Sequence, residues 1–176
     1  DVGGEAGVLQ DGAYYVFAGS GFPGPDEARV PQGIFRYVPG EGKEQLVSYQ
    51  AHRMDVLFSC WGVNTHGLYY VDIDTNALWR QDLTTGEETL LYTAPGPEEP
   101  EAELGVGDLW NYFAHGEELE LTYDVALFLN QVGEDTVTLT YRYPDGKTTD
   151  TVVLDSRTGA LLSQTAQREN GYPLWL

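Results

Sequence analysis

Cysteine, positive charge and long apolar runs are all scarce in this sequence. Cys60 is the only cysteine among 176 residues, so no disulfide can form within the chain and cysteine content does not indicate a redox compartment. No apolar run approaches the length of a membrane-spanning helix, and no basic stretch followed by an apolar one marks a signal peptide. We therefore expect a chain that does not insert into a membrane.

Positive charge is the clearest deficit. Only 9 residues are lysine or arginine, against 28 aspartates and glutamates, which gives a formal net charge of −19. A field of this sign repels both phosphate backbones and anionic lipid headgroups. The composition thus excludes nucleic acid as an expected partner.

The beginning of the sequence and its composition suggest a location. The sequence begins at Asp1 rather than at Met. An export signal or lipid anchor removed from this end would place the protein outside the cytoplasm. Its acidic, tyrosine-rich and cysteine-poor composition fits a secreted or surface-anchored bacterial protein, and we expect an extracytoplasmic location.

Aromatic and turn-forming residues are abundant. The chain has 12 Tyr, 6 Phe and 4 Trp together with 21 Gly and 9 Pro. Aromatic residues favour strands, and glycine and proline favour turns, so many short strands are expected. The length suits a single all-β domain over residues 1–176 that is built from a few small sheets.

An internal repeat organises these strands. Gly12 to Val16 (GAYYV) matches Gly67 to Val71 (GLYYV), and Ile34-Phe35-Arg36 matches Leu78-Trp79-Arg80. The two copies end in Leu46-Val47 and Leu90-Leu91. A third, weaker copy runs from a strand over 136–143 through the hairpin turn Pro144-Asp145-Gly146 to Thr151–Asp155, Thr158-Gly159 and Leu161-Leu162.

Each copy predicts an antiparallel meander of about four strands. The predicted units are residues 7–49, 54–94 and 104–165, and their first strands are expected at Gly7–Leu9, Val56–Trp61 and within Leu119–Leu129. Residues 95–103 form an acidic loop rich in proline and glutamate, which cannot sit inside a sheet. Residues 104–115 are compatible with a short helix as the alternative, because Leu109, Tyr112 and Phe113 lie at helical spacing.

The repeated pattern resembles a known architecture. Gly-x-Tyr-Tyr-Val, then Leu-Trp-Arg, then Asp-x-x-Thr-Gly before Leu-Leu resembles the blades of six-bladed β-propellers in uncharacterised bacterial surface proteins and TolB-like proteins. Residues 12–92 carry this resemblance, and 135–165 carry part of it. The resemblance implies a partial propeller of about three blades and a role in binding. The final segment is also similar to small secreted PepSY-type domains.

Three blades are fewer than the four to eight that close a propeller. A second copy of the chain could complete the ring as a homodimer, the chain could be a fragment, or the units could pack as an open β-sandwich.

The motifs that suggest chemistry are incomplete. Asp72-x-Asp74-x-Asn76 resembles half of a calcium loop, but Ala77 and Leu83 stand where glycine and glutamate are needed, so a hairpin turn is expected. Gly40-Glu41-Gly42-Lys43 likewise reads as a turn rather than a phosphate loop.

The possible metal ligands and nucleophile also lack a suitable pattern. His52, His66 and His115 have no zinc-ligand spacing, and Cys60 reads as a small buried residue in a strand. We expect no metal, no cofactor and no catalytic residue.

Aromatic side chains are the remaining candidates for a binding surface. Most are expected in the core, but Trp61, Trp110 and Trp175 adjoin glycine or loop sequence and are predicted to contact a ligand. The expected function is therefore a non-enzymatic module that binds a protein or a carbohydrate. The alternatives are a glycan-binding module, an accessory domain of a carbohydrate-active enzyme, and a sensor domain of another surface protein.

Overall fold

The described part of the structure consists of β-strands. The computed structural model of the chain describes residues 8–18, 32–54, 60–95, 127–143 and 148–168. No helix occurs in these ranges, and their strands are β1 (Val8–Gln10), β2 (Ala13–Ala18), β3 (Gly33–Val38), β4 (Gly42–Ser48), β5 (Trp61–Asn64), β6 (Gly67–Asp72), β7 (Ala77–Gln81), β8 (Glu88–Thr93), β9 (Leu127–Val132), β10 (Thr136–Arg142), β11 (Thr148–Asp155) and β12 (Leu161–Arg168).

The strands form three four-stranded antiparallel sheets. The first sheet has the order β1-β2-β3-β4, the middle sheet β5-β6-β7-β8 and the third sheet β9-β10-β11-β12, and none closes into a barrel. Within each sheet, every strand pairs with the strand that follows it in the sequence, as in a meander. The all-β fold of repeated four-stranded meanders is therefore confirmed.

Turn chemistry explains where the strands reverse. Asp11 and Gly12 both have positive φ, 48° and 78°, and they join β1 to β2 as a two-residue hairpin loop. A loop of this kind twists in the same sense as the strands it connects, which is why Asp-Gly is favoured there.

The Asp-x-x-Thr-Gly motif is also a turn. Asp82 Oδ1 accepts hydrogen bonds from the amides of Thr84 and Thr85, both at 2.8 Å, and Asp155 Oδ1 accepts from those of Arg157 and Thr158 at 3.0 and 2.8 Å. These bonds lower the pKa of both carboxyl groups because they favour the charged form. The motif therefore specifies architecture in the second and third copies of the repeat.

The three sheets stack in sequence order, with the middle sheet buried on both faces. All six residues of β6 are buried, and alternate side chains point to opposite neighbours. Leu68 and Tyr70 pack against the first sheet, whereas Tyr69 and Val71 pack against the third. The sheets approach each other most closely at β1, β5, β6 and β9.

Strand register moves the internal repeat by one residue relative to the sequence match. The sequence equates Tyr14 with Tyr69, but Tyr15 lies opposite Arg36 while Tyr69 lies opposite Arg80. The two arginines are equivalent in both comparisons, so Tyr15 is the equivalent of Tyr69. A shift of one residue moves a side chain to the other face of a sheet, and Tyr14 consequently takes the place of Leu68.

Other sequence-based predictions can be placed on this fold. Asp72 to Asn76 lead through the turn between β6 and β7, as expected. Gly40 and Glu41 lie in the expected turn, while Gly42 and Lys43 already belong to β4. The first strand of the middle sheet was predicted at Val56–Trp61 but is observed at Trp61–Asn64, with Cys60 just before it, and residues 56–59 lie outside the described residues. The turn at 144–147, the acidic loop from residue 96 and the possible helix over 104–115 also lie outside them.

Candidate functional site

One row of side chains crosses the outer face of the first sheet. Leu9 on β1 lies opposite Tyr14 on β2, Tyr14 lies opposite Tyr37 on β3, and Tyr37 lies opposite Lys43 on β4. We call these four residues the tyrosine row. Because residues that are directly opposite on antiparallel strands have neighbouring side chains on one face, the row forms a continuous strip near the β1–β2 turn.

The apolar members of the tyrosine row are unusually exposed. Leu9 is 73% exposed, Tyr37 47% and Tyr14 37%. Farther along the same face, Val16 lies opposite Phe35, and both are buried. The exposed part of this face is therefore the end that lies near the β1–β2 turn.

The internal repeat gives each residue of this face an equivalent in the middle sheet. Ladder register makes Leu9 equivalent to Val63, Tyr14 to Leu68, and Tyr37 to Gln81. The three equivalents in the middle sheet are all buried, on the face that packs against the first sheet. The outer face of the first sheet thus corresponds to the face of the middle sheet that packs against another sheet. Among the described residues, however, no sheet covers its exposed end.

A cation borders the apolar strip. The Lys43 ammonium lies 3.8 Å from the centre of the Phe35 ring. Arg36 Nη1 lies 3.9 Å from Glu44 Oε2. Positive charge is scarce in this chain, so Lys43 makes the strip less acidic than the protein as a whole.

The predicted ligand-binding tryptophans are not brought together by the described structure. Trp61 is half-buried at the start of β5, where it packs against the core between the first and middle sheets. Trp110 and Trp175 lie outside the described residues. Ligand binding by these three residues stays a prediction.

His52 forms a compact cluster where the first sheet connects to the middle one. Its Nδ1 lies 3.1 Å from Asp72 Oδ2, and its Nε2 lies 3.5 Å from Glu88 Oε2. The ring centres of Tyr70 and Trp79 are each 5.1 Å from the imidazole. Both imidazole nitrogens thus face carboxylates and two aromatic rings pack nearby, so the cluster fastens the connecting segment to the middle sheet.

The chemistry of this cluster favours a structural role. The Tyr70 hydroxyl donates to Glu88 Oε1 at 2.6 Å. Burial, followed by the neighbouring Glu88 carboxylate, raises the pKa of Tyr70, which keeps the hydroxyl protonated. An activated nucleophile needs the opposite change in pKa.

A second polar cluster joins the middle and third sheets beside the turn between β5 and β6. Asn64 Nδ2 donates to the Gly133 carbonyl at 2.7 Å, and the Tyr69 hydroxyl donates to the Ser156 carbonyl at 2.8 Å. His66 Nε2 accepts from Arg157 Nε at 3.0 Å. The first two bonds satisfy backbone carbonyls across the sheet boundary and the third joins two side chains across it, so the cluster holds the two sheets together.

The carboxylates of the calcium-like motif contact groups of the protein itself. Asp72 Oδ1 accepts from the amide of Asp74, while Asp74 Oδ1 forms an ion pair with Arg53 at 3.0 Å. Within residues 8–18, 32–54, 60–95, 127–143 and 148–168, no group of three or more His, Cys, Asp or Glu side chains is arranged to hold a metal ion. Cys60 is buried, one residue before β5.

No helix long and apolar enough to cross a bilayer is found in the described part of the chain.

Sequence reasoning did not select the tyrosine row. It expected most aromatic side chains in the core and singled out tryptophans beside loops instead. The available signal was the Asp11-Gly12 turn, because a two-residue hairpin fixes which residues of β1 and β2 share a face.

Comparison with known proteins does not identify a relative. No family model, curated protein or solved structure matches this chain.

Proposed function

We propose that this protein is a non-catalytic binding module that holds a protein partner on the tyrosine row and acts outside the bacterial cytoplasm. One observation carries this proposal: the exposed Leu9, Tyr14 and Tyr37 occupy positions whose equivalents in the middle sheet are buried against another sheet. Exposed apolar strips with polar margins are typical of protein-binding surfaces. The extracytoplasmic location is supported by composition.

The residue types in the row suit protein recognition. Tyrosine is enriched at interfaces because its ring buries a large apolar area while its hydroxyl stays hydrogen-bonded. Leu9, on the three-residue edge strand β1, adds an aliphatic contact at one end. Lys43 at the other end would favour an acidic group of the partner.

Site-specific cross-linking tests the proposal. A photoreactive phenylalanine analogue replaces Tyr37 in the 176-residue chain, and the chain is irradiated in cells that produce it naturally. We expect a discrete cross-linked protein whose yield falls at least about tenfold when Tyr14→Ser is added, because central interface tyrosines contribute much of the binding energy.

Leu90 is the matched control position. It is 49% exposed on β8 of the middle sheet, away from the tyrosine row. A cross-linked protein that is recovered equally from position 90, or that survives Tyr14→Ser unchanged, would count against the row as the binding site.

Glycan binding is the second candidate because Tyr14 and Tyr37 lie directly opposite each other. Two neighbouring aromatic rings can stack on successive sugar rings. Titration of the protein with oligomers of glucose and of N-acetylglucosamine, followed by tyrosine fluorescence, tests it. Saturable binding that is lost in Tyr14→Ala and Tyr37→Ala would support this candidate, and no binding to any oligomer would remove it.

A further inference from the structure

The outermost strand of the third sheet differs from the other outer strands. β12 pairs with β11 on one side and has no partner on the other among the described residues. All seven side chains of residues 161–167 are exposed, including Leu161 and Leu162. Among the described residues, nothing covers either face of this segment or pairs with its second backbone edge.

Among the three corresponding outer strands, β12 has the longest uncharged segment, and its one charged residue, Arg168, stands at its end. Residues 161–167 carry no charged side chain, although the chain has a net charge of −19. The uncharged segments of the corresponding outer strands are shorter, because β4 contains Lys43 and Glu44, and β8 has Glu88 before five uncharged residues. Charged side chains are a common means of preventing edge-to-edge pairing, and β12 lacks them over these seven residues.

We propose that two copies of the chain associate through β12, which pairs antiparallel with β12 of the second copy about a twofold axis at Gln164. Two acidic chains repel each other over most of their surface, so association is favoured where both present an uncharged segment. A twofold axis also makes one surface complementary to itself. In this register Ser163 of one copy lies opposite Thr165 of the other, on both sides of the axis.

This interface goes beyond the proposed binding function and does not depend on it. The tyrosine row is on the first sheet, whereas β12 is at the edge of the third. Pairing through β12 uses no residue of the row, so a dimer would present two copies of the row to partners. Completion of a ring through sheet faces is a different arrangement and would not use the β12 edge.

Charge substitutions at Ser163 and Thr165 test the register. Within their own sheet these residues lie opposite Val153 and Thr151, so new charges meet uncharged neighbours there. In the double variant Ser163→Lys/Thr165→Lys, like charges face each other twice across the axis. In Ser163→Glu/Thr165→Lys, opposite charges face each other twice. Directly opposed pairs contribute up to about 1 kcal/mol each, so the two double variants should differ by about tenfold or more in dimer dissociation constant.

The measurement is sedimentation equilibrium of the 176-residue chain over a wide range of concentrations. We expect the unsubstituted protein and Ser163→Glu/Thr165→Lys to form dimers, and Ser163→Lys/Thr165→Lys to dissociate at least about tenfold more readily. Thr93→Lys on β8, an exposed position opposite Ala77, is the control and should leave the dimer unchanged. Circular dichroism and thermal unfolding show whether each variant is folded.

Three outcomes would overturn the proposal. The first is an unsubstituted protein that stays monomeric at all concentrations. The second is a dimer that the two Ser163/Thr165 double variants affect equally. The third is a dimer that Thr93→Lys dissociates as readily as the lysine double variant, because the contact would then lie elsewhere.

Discussion

The middle sheet and the first sheet carry the same repeat, yet their equivalent faces have different surroundings. Leu68 in the middle sheet is fully buried against the first sheet, whereas Tyr14 at the equivalent position is partly exposed. The middle sheet has a neighbour on each side, and the described structure gives the first sheet a neighbour on one side only. The residue type alone therefore does not decide whether a strand position is a core position or a binding position.

Removal of a buried side chain from the middle sheet should have the largest effect. Leu78 is fully buried in the core between the middle and third sheets. Leu78→Ala should lower the free energy of unfolding by about 2–5 kcal/mol, because it loses apolar burial and leaves a cavity. Urea denaturation measures this change.

Leu90 provides the matched control in the same sheet. Leu90→Ala removes a half-exposed side chain and should change the free energy of unfolding by less than about 0.5 kcal/mol. Similar losses for the two leucines would contradict the stacking of the middle sheet between two others.

A glycine at the boundary of the middle and third sheets should have the next largest effect. A Cβ atom on Gly62 would lie 2.6 Å from Cγ2 of Val132 on β9, closer than nonbonded carbon atoms can approach. Gly62→Ala should therefore lower the free energy of unfolding by about 1–3 kcal/mol.

A second substitution tests the cause of this loss. Val132→Ala removes the methyl groups that an alanine at position 62 would meet, so Gly62→Ala/Val132→Ala should be more stable than the sum of the two single changes predicts. Strict additivity in thermal or urea unfolding would show that the two sheets are not in close contact here.

A buried hydroxyl should give the smallest of these effects. Tyr70→Phe removes the hydrogen bond to Glu88 and should cost about 1 kcal/mol at neutral pH. Tyr14→Phe on the open face makes the same chemical change at an exposed side chain and should cost little.

The Tyr70 hydroxyl also predicts a pH dependence. Its pKa is raised in the folded protein above the ordinary value of 10.0, so its contribution to stability is complete below about pH 10 and is lost as pH rises beyond that. From pH 9 to 11, the unsubstituted protein should lose more stability than Tyr70→Phe does. An identical loss would mean that the Tyr70 hydroxyl is not buried.

Much of the fold could be predicted from local patterns. Turn residues determine where strands end. Few residues other than Asp11-Gly12 readily adopt the positive φ of a two-residue hairpin, and the aspartate of Asp-x-x-Thr-Gly accepts hydrogen bonds from the amides of its turn. The strand predicted over 136–143 is observed as β10, Thr136–Arg142. The Leu-Leu segments that end the second and third copies lie in β8 and β12.

The site was harder to predict. A tyrosine can lie on either face of a strand. Only the pairing of the strands shows that Tyr14 shares a face with Leu9 and Tyr37 and lies opposite to the face that packs against the middle sheet. Sequence similarity aligns Tyr14 with Tyr69, whereas register aligns it with Leu68, and this shift of one residue changes the face on which Tyr14 is expected.

The sequence by itself determined the all-β class, the number of strands in each repeat and the strongly acidic surface, because composition, turn chemistry and charge act over short distances or as sums over the chain. The tertiary structure decided which tyrosines are buried, which strands lie at the edge of a sheet and which sheet has two neighbours. These properties depend on contacts between strands that are distant in sequence, and a strand's own residues do not specify what will stack on either of its faces.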